Sequence, residues 1–416
     1  MLEVTFNSIL YLSYLFFYWQ RRKKVDAGFF VGFVWFLLSL VNLAYYASNP
    51  RVWNLSLWPF IYLFLIFVLL TRIYWKNDIG EKNSGYIFES NKLIDVICVL
   101  FVIASFISAY YSEFNLNDFI LSSLEDNAAE RYADAQSGEK VFYHNQLERF
   151  AKIYVGYTLN IAIIGMFMYL CQKKYKSAVI MALAVLSSPI IFTITRGNRS
   201  ILFGNIMLLV AAYCIFQRFL PHKTKRIIYI LGGIIVVSLA AVVMAISLSR
   251  FGYNGEDGAY DSIFYYFGHN MLVFNQDVCL KLNDIFYGAR SFSFSLNLLG
   301  IDTENFIKSI NTGTTIDGAF ATVVGFLLLD FGFLGTFIVA LILPAFMRYF
   351  IFGKNKRITI AEIYLYLFYT DRCIMGAFYN VPGTDVFYIM ALIIYTILRF
   401  INPMTKHSQS LQTTTY

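Results

Sequence analysis

The stretch FTITRGNRSILFG at 192–204 sets Arg196 and Arg199 in a short turn between two runs, 177–195 and 200–217, that carry no charge at all. If those runs are membrane segments, a guanidinium at apolar depth costs up to ~2.5–3.5 kcal/mol, less at the interface where the side chain snorkels. A pair retained there asks for an anionic partner. Arginine forks onto phosphate oxygens with two parallel hydrogen bonds, and Gly197 lets the chain turn tightly enough for both groups to converge on one anion. Lipid headgroups are the other partner open to them. Arg250 repeats the pattern just beyond the uncharged run 227–248, and Arg290 lies further along in FYGARSFSF. Arg372 adjoins Asp371 inside an apolar segment, where a mutual ion pair is the bland reading and a functional charge the sharper one.

Four histidines narrow to one. His222 sits in a basic loop, His407 in the polar tail and His144 in an acidic loop, which leaves His269 in FYYFGHNMLVF. An imidazole titrating near neutrality suits general acid or base work; a packed or headgroup-facing histidine is the alternative. Glu256, Asp257, Asp261 and Asp317 are rival bases, and the sequence does not rank them. Asp330, near Gly325, Gly332 and Gly335, either caps the next helix or orients an arginine, with capping favoured. The cysteines at 98, 171, 214, 279 and 373 show no CxxC spacing, so neither a metal centre nor a disulfide framework is expected. No Walker or GxGxxG pattern occurs on the short basic loops, and no cofactor is expected.

The elements that must position these residues follow from composition. Of 416 residues 58% are apolar and 14% charged, against roughly 45–50% and 25% in soluble proteins, which excludes a water-soluble globule. An all-α, polytopic membrane protein forming a single transmembrane domain is expected. About 20 apolar residues cross a bilayer core, and eleven charge-poor runs qualify: 4–19, 27–46, 56–71, 94–111, 153–171, 177–195, 200–217, 227–248, 331–352, 359–379 and 384–400. Basic clusters QRRKK (20–24), QKKYK (172–176), PHKTKR (221–226) and KNKR (354–357) mark alternate loops as cytoplasmic. The net charge of +7 therefore belongs to these loops and not to a nucleic-acid surface. The N-terminus then lies outside and the tail 401–416, polar and disordered in expectation, inside. Outer loops are 112–150, with eight acids against three bases, and 249–318, with eight against four. The second contains thirteen aromatics and reads as helices lying in the interface. The segment 319–335 reads as a bent or re-entrant helix.

Three stretches together resemble the oligosaccharide repeat unit polymerases, the Wzy-type O-antigen polymerases of bacteria. They are TRGNRS after an apolar run; SRFGYNG, SIFYYFGHNMLVFNQ and YGARSFSFSLNLLG in the large loop; and TTIDGAFATVVGFLLLDFGFLGTF, whose DFGFLG is similar to that family's DFG-x-x-G stretch. The likeness covers roughly 190–350. It implies a GT-C-like, metal-independent glycosyltransferase of the bacterial inner membrane with its active face in the periplasm. Undecaprenyl-pyrophosphate-linked oligosaccharide would be its substrate, membrane lipids its surroundings, and a chain-length regulator and a flippase its pathway partners. On that resemblance Arg196 and Arg250 bind pyrophosphate, Arg199 and Arg290 assist, and His269 or a neighbouring acid such as Asp317 takes the proton from the acceptor hydroxyl; Asp330 is assigned to the substrate-binding set. A lipid-linked oligosaccharide flippase, an O-antigen ligase and a membrane acyltransferase are the competing readings. The polymerase and ligase readings require residues 196 and 250 on the outer face, whereas a flippase would turn its basic residues into a central cavity within the spans. Single cysteines at these positions in a cysteine-free background should react with a membrane-impermeant maleimide on intact cells; protection there, with labelling only after lysis, overturns the topology.

Overall fold

A computed structural model describes residues 1–48, 53–76, 79, 92–111, 145–196, 199–234, 267–314, 321–353, 358–378 and 383–401, the side chains of 191–201 excepted. Every regular element among them is helical. The first eight are α1 (Leu2–Arg22), α2 (Ala27–Ser48), α3 (Leu57–Lys76), α4 (Lys92–Tyr110), α5 (Gln146–Cys171), α6 (Tyr175–Arg196), α7 (Arg199–Phe216) and α8 (222–234). After them come α9 (Asn270–Val273), running into a π-helical turn Phe274–Cys279, then α10 (Ser293–Leu298), α11 (Thr303–Ser309), α12 (Thr322–Phe352), α13 (Ile360–Met375) and α14 (Thr384–Ile401). Among the described residues α2, α3, α4, α5 and α12 are long and apolar enough to cross a membrane. The chain is thus an all-helical, multi-pass membrane protein. Helices also occupy the described positions of the remaining expected runs; of 227–248 the structure describes 227–234, which belong to α8.

Local sequence explains how these helices pack. In α1 the buried positions Val4, Asn7, Ser8, Tyr11, Tyr14, Leu15 and Tyr18 recur every three or four residues and make one face. Tyr11 and Tyr14 meet Phe67 of α3 edge-on with ring centroids 5.2 and 4.8 Å apart, an arrangement aromatic quadrupoles favour. The opposite face, with Ile9, Leu12, Phe16 and Phe17, is exposed and equally apolar. So is that of α4, with Val99, Ile103 and Phe106. Contiguous exposed apolar surface of this kind is what a bilayer covers. At the centre stands α13, touching α2, α5, α7, α12 and α14, with fourteen of its sixteen residues buried. A capping box of Thr359 and Glu362 starts it.

The large loop departs from the interfacial expectation in its first half. Met271, Leu272 and Phe274 are buried, packed by α9 and the π-helical turn on α2, α3 and α12. Among the described residues of the loop, the apolar side chains most open to the outside come later, at Leu298 and Leu299. The segments expected at 319–335 and 331–352 form one helix, α12, broken at Gly332, whose φ of 67° and ψ of −177° belong to a region open essentially to glycine alone. The break frees carbonyls that would otherwise bond four residues ahead. Those of Leu329 and Asp330 instead accept from the N–H groups of Phe286 (2.8 Å) and Gly288 (3.0 Å), so the kink is where the loop docks. Gly332→Ala should cost about 1–3 kcal/mol of backbone strain, read as a lower midpoint of thermal unfolding in detergent together with faster proteolysis within 282–292. An unchanged midpoint and cleavage rate would show that the kink does not hold the loop.

Candidate functional site

The docked segment is clamped from both sides. Tyr287 (φ 52°) and Gly288 (φ 83°) turn the chain, and Tyr287 Oη donates to Asp284 Oδ1 at 3.0 Å; losing that hydrogen bond opposes ionisation, so the phenol pKa is raised. Beyond the turn, Asp330 Oδ1 accepts from the N–H of Arg290 (3.2 Å) and Asp330 Oδ2 from that of Ser291 (2.6 Å). On the other side the carbonyl of Arg290 accepts from Gly383 (2.8 Å), and that of Ser291 from Asp385 (3.1 Å). Asp385 Oδ2 in turn accepts from the N–H of Ser295, 2.8 Å away. Gly383, with a φ of 71°, makes the turn that brings α14 into this contact. Both peptide groups of the arginine segment are therefore paired although they lie ninety residues from α14 in the chain.

The Arg290 side chain is 6% exposed, and its guanidinium lies 5.1 Å from the ring centre of Phe286 and 4.9 Å from that of Phe326. Cation–π contacts of this kind are worth ~0.5–2 kcal/mol, more as water is removed. Asp330 is wholly buried, and its negative charge acts on the arginine. Its two oxygens serve the backbone of 290–291 and not the start of a following helix, so the capping favoured from sequence gives way to the alternative: Asp330 positions an arginine.

The other expected site residues are placed less completely. Arg196 ends α6 and Arg199 begins α7, two helices that pack together, so their backbones are neighbours while their side chains fall outside the description. Arg250 and Asp317, like Glu256, Asp257 and Asp261, lie outside the described residues. His269 is buried at the head of α9, where Asn42 of α2 donates to the carbonyl of Gly268. It lines neither of the two cavities described next.

One cavity, of about 350 Å³, runs from Phe346 and Ile389 on the bundle surface to Trp35 and Tyr369 in the core. Its walls are mostly apolar, with Thr71, Ser291, Ser295, Thr384, Asp385 and Arg372 as the exceptions. A second, of about 430 Å³, lies between α5, α7, α13 and α14 and carries Lys152, Asn160, Asn205, Asp371 and Arg372. Both fall in the ~300–1,000 Å³ range of ligand sites. Arg372 belongs to both. Its Nη2 pairs with Asp371 Oδ2 at 2.8 Å, the ion pair the adjacency suggested. Its charge also stands 5.2 Å from the Phe387 ring. Asp385 Oδ1 and Arg372 Nε are buried with no hydrogen-bond partner among the described residues, each at a cost of ~1–3 kcal/mol. Sequence reading missed Ser291 and Asp385; the Gly-Thr-Asp run before an apolar stretch signalled only a helix start.

Among the described residues no group of three or more His, Cys, Asp or Glu side chains is placed to hold a metal ion. A scan against protein-family models and searches of curated proteins and of solved structures give no match. Asp330→Asn should lower unfolding stability in detergent by about 1.5–3 kcal/mol, since it weakens charge-assisted hydrogen bonds and leaves a buried cation less balanced. Asp330→Asn with Arg290→Gln should lose less than the two single losses added together; strict additivity would show that the two charges do not act on one another.

Proposed function

We propose that the chain is a glycosyltransferase of the oligosaccharide repeat unit polymerase kind, elongating lipid-pyrophosphate-linked glycans on the outer face of a bacterial inner membrane. One observation carries the reading: a buried arginine, Arg290, is held by its backbone next to an apolar cavity that opens on the lipid-facing side of the bundle. A reaction needing both an isoprenoid carrier and a departing diphosphate asks for that pairing of grease and positive charge. About eleven spans, a GT-C-like arrangement and a periplasmic active face belong to the same proposal.

The chemistry is a displacement at the anomeric carbon of the growing chain. The bond from that carbon to the pyrophosphate oxygen breaks, and its electron pair leaves with undecaprenyl pyrophosphate. A hydroxyl oxygen of the incoming repeat forms the new glycosidic bond, and its proton passes to His269 or to one of the acids Glu256, Asp257, Asp261 and Asp317. Arg196 and Arg250, assisted by Arg199 and Arg290, neutralise charge gathering on the leaving group, the logic of an oxyanion hole. A flippase for the same lipid-linked glycan is the second reading, and one observation favours it: Asp371 and Arg372 face cavities between helices, where a transporter needs charge.

Deleting the gene from its host should reduce the surface-polysaccharide ladder to a core bearing a single repeat, whereas loss of a flippase or a ligase leaves no repeat attached. Purified protein given lipid-linked repeats and a chelator should elongate them, and Arg290→Ala should slow that by roughly 10²–10³, the loss typical of one transition-state donor. No elongation by active-folded protein, with repeats absent from the deletion strain, sinks the polymerase and leaves transport.

A further inference from the structure

We infer that the apex of the hairpin between α10 and α11, Leu298 to Ile301, is a membrane anchor that enters the hydrocarbon of the leaflet beside it. Its partner is the acyl-chain layer of the bilayer. The inference goes beyond the polymerase reading, since the apex residues line neither cavity and the anchor stands whatever reaction the chain performs.

The apex departs from what a turn in water contains. Tight turns at a wet surface draw on Gly, Pro, Asn, Asp and Ser, whereas this one reads Leu-Leu-Gly-Ile. Leu298 is 72% exposed, Leu299 77% and Ile301 47%, and Phe294 and Phe306 stand open on the two helices beside them. No residue of α10 is buried. Gly300, at a φ of 82°, takes the left-handed position that ends α10. Around it the N–H of Ile301 donates to the carbonyl of Leu296 (3.0 Å) and that of Gly300 to the carbonyl of Asn297 (3.1 Å), the paired bonds of a Schellman turn. The N–H of Leu299 donates to Ser295 at 3.2 Å, and Asn297 Oδ1 accepts from both the N–H (3.2 Å) and the hydroxyl (2.9 Å) of Thr303. These backbone donors are thus satisfied inside the hairpin while large aliphatic groups point out of it. Hydrocarbon demands that combination, because it offers a backbone no partner; water does not.

Position agrees with composition. The N–H of Ser295 donates to Asp385 Oδ2 at the start of α14, 2.8 Å away, and α10 packs on that helix, so the hairpin springs from the end of the bundle. The same end carries an aromatic collar. Trp58 and Tyr62 of α3 lie 5.4 and 5.3 Å from Phe333, and Phe292, just before α10, lies 6.0 Å from Phe331; Trp58, Phe292 and Phe333 are exposed. Trp and Tyr collect at the headgroup level of a bilayer, so the collar marks the boundary from which α10 sets out. At 1.5 Å per residue this helix carries the chain about 9 Å, within the ~5–10 Å by which interfacial elements enter a leaflet. Charge is kept off the apex: Asp302 caps α11 by accepting from the N–H of Asn305 at 3.1 Å, and Lys308 pairs with Glu304 at 2.6 Å. With its charges engaged within α11, the hairpin presents no group that selects a headgroup or an oppositely charged protein. Its aliphatic tip selects acyl chains.

The test places an NBD fluorophore on a cysteine at position 299 in the purified full-length protein, one copy per lipid nanodisc. The native cysteines are buried or half-buried, and wild type labelled in parallel is the blank. Leu299→Cys should be quenched by nitroxide on lipid acyl chains at least threefold more than by aqueous iodide, as should Ile397→Cys on the exposed face of α14; Lys308→Cys should show the reverse. Iodide quenching at 299 equal to that at 308 overturns the anchor. Shielding from both quenchers overturns it too, since protein and not lipid would then cover the apex. Leu298→Asp should raise iodide quenching of the 299 label at least twofold and leave the midpoint of thermal unfolding in detergent unchanged, because that side chain is not packed in the protein; a label that stays shielded beside the aspartate also overturns the anchor. Lipid quenching in a protein that elongates no repeats sinks the polymerase and spares this inference; iodide quenching in one that elongates them does the reverse.

Discussion

A carboxylate shut away from water in an apolar bundle survives only where donors surround it, and Asp330 finds its donors in a segment forty residues earlier. Desolvating such a group costs several kcal/mol unless hydrogen bonds and an opposite charge answer it. Here the backbone N–H groups of Arg290 and Ser291 supply the bonds and the arginine supplies the charge. The requirement runs in both directions: the acid cannot be buried without the loop, and the loop cannot leave the surface without the acid. From that single dependency follow the kink at Gly332, the turn at Tyr287 and Gly288, and the seating of α14 against Ser291 and Ser295.

The same economy governs the other buried charges. Glu362, wholly buried in α13, is met by Arg399 at 2.7 Å and by Tyr395 at 3.3 Å, both from α14. Asp26 accepts from Tyr18 Oη at 2.7 Å and lies 3.7 Å from Arg22. In each case an acid between two helices fixes how the second lies against the first, as polar groups do where neighbouring lipid is as apolar as the protein.

Much of the architecture was legible in the sequence because hydropathy reports a one-dimensional property. Helices α2, α3, α4 and α5 lie where charge-poor runs 27–46, 56–71, 94–111 and 153–171 put them, since any such run in a membrane must satisfy its backbone internally. The break in α12 was half visible: the glycines announced a bend, but not that the helix resumes at once and offers its freed carbonyls to a loop. That Asp330 orients an arginine could be raised only as an alternative, with no arginine named, because nothing in local spacing links it to Arg290 forty residues earlier. Ser291 and Asp385 gave no signal, since a serine after an arginine and an aspartate opening a helix are ordinary until a fold brings them to one cavity. His269 was distinctive by chemistry, yet its burial against α2 depends on Asn42 and Tyr45, some 225 residues away in the chain.

The central helix bears on how the chain is made. With sixteen residues α13 is about 24 Å long at 1.5 Å per residue, short of a ~30 Å hydrocarbon core, and it holds Glu362, Asp371 and Arg372. Glu362 lies in its first turn and Asp371 and Arg372 toward its last, and each weighs against partition from the translocon into lipid, by up to ~2.5–3.5 kcal/mol at a helix centre and less toward the ends. Such a segment has little reason to leave an aqueous pore by itself. The partner that neutralises Glu362, Arg399, lies 37 residues further along, near the end of α14, so α13 can settle among its neighbours only once α14 has emerged behind it.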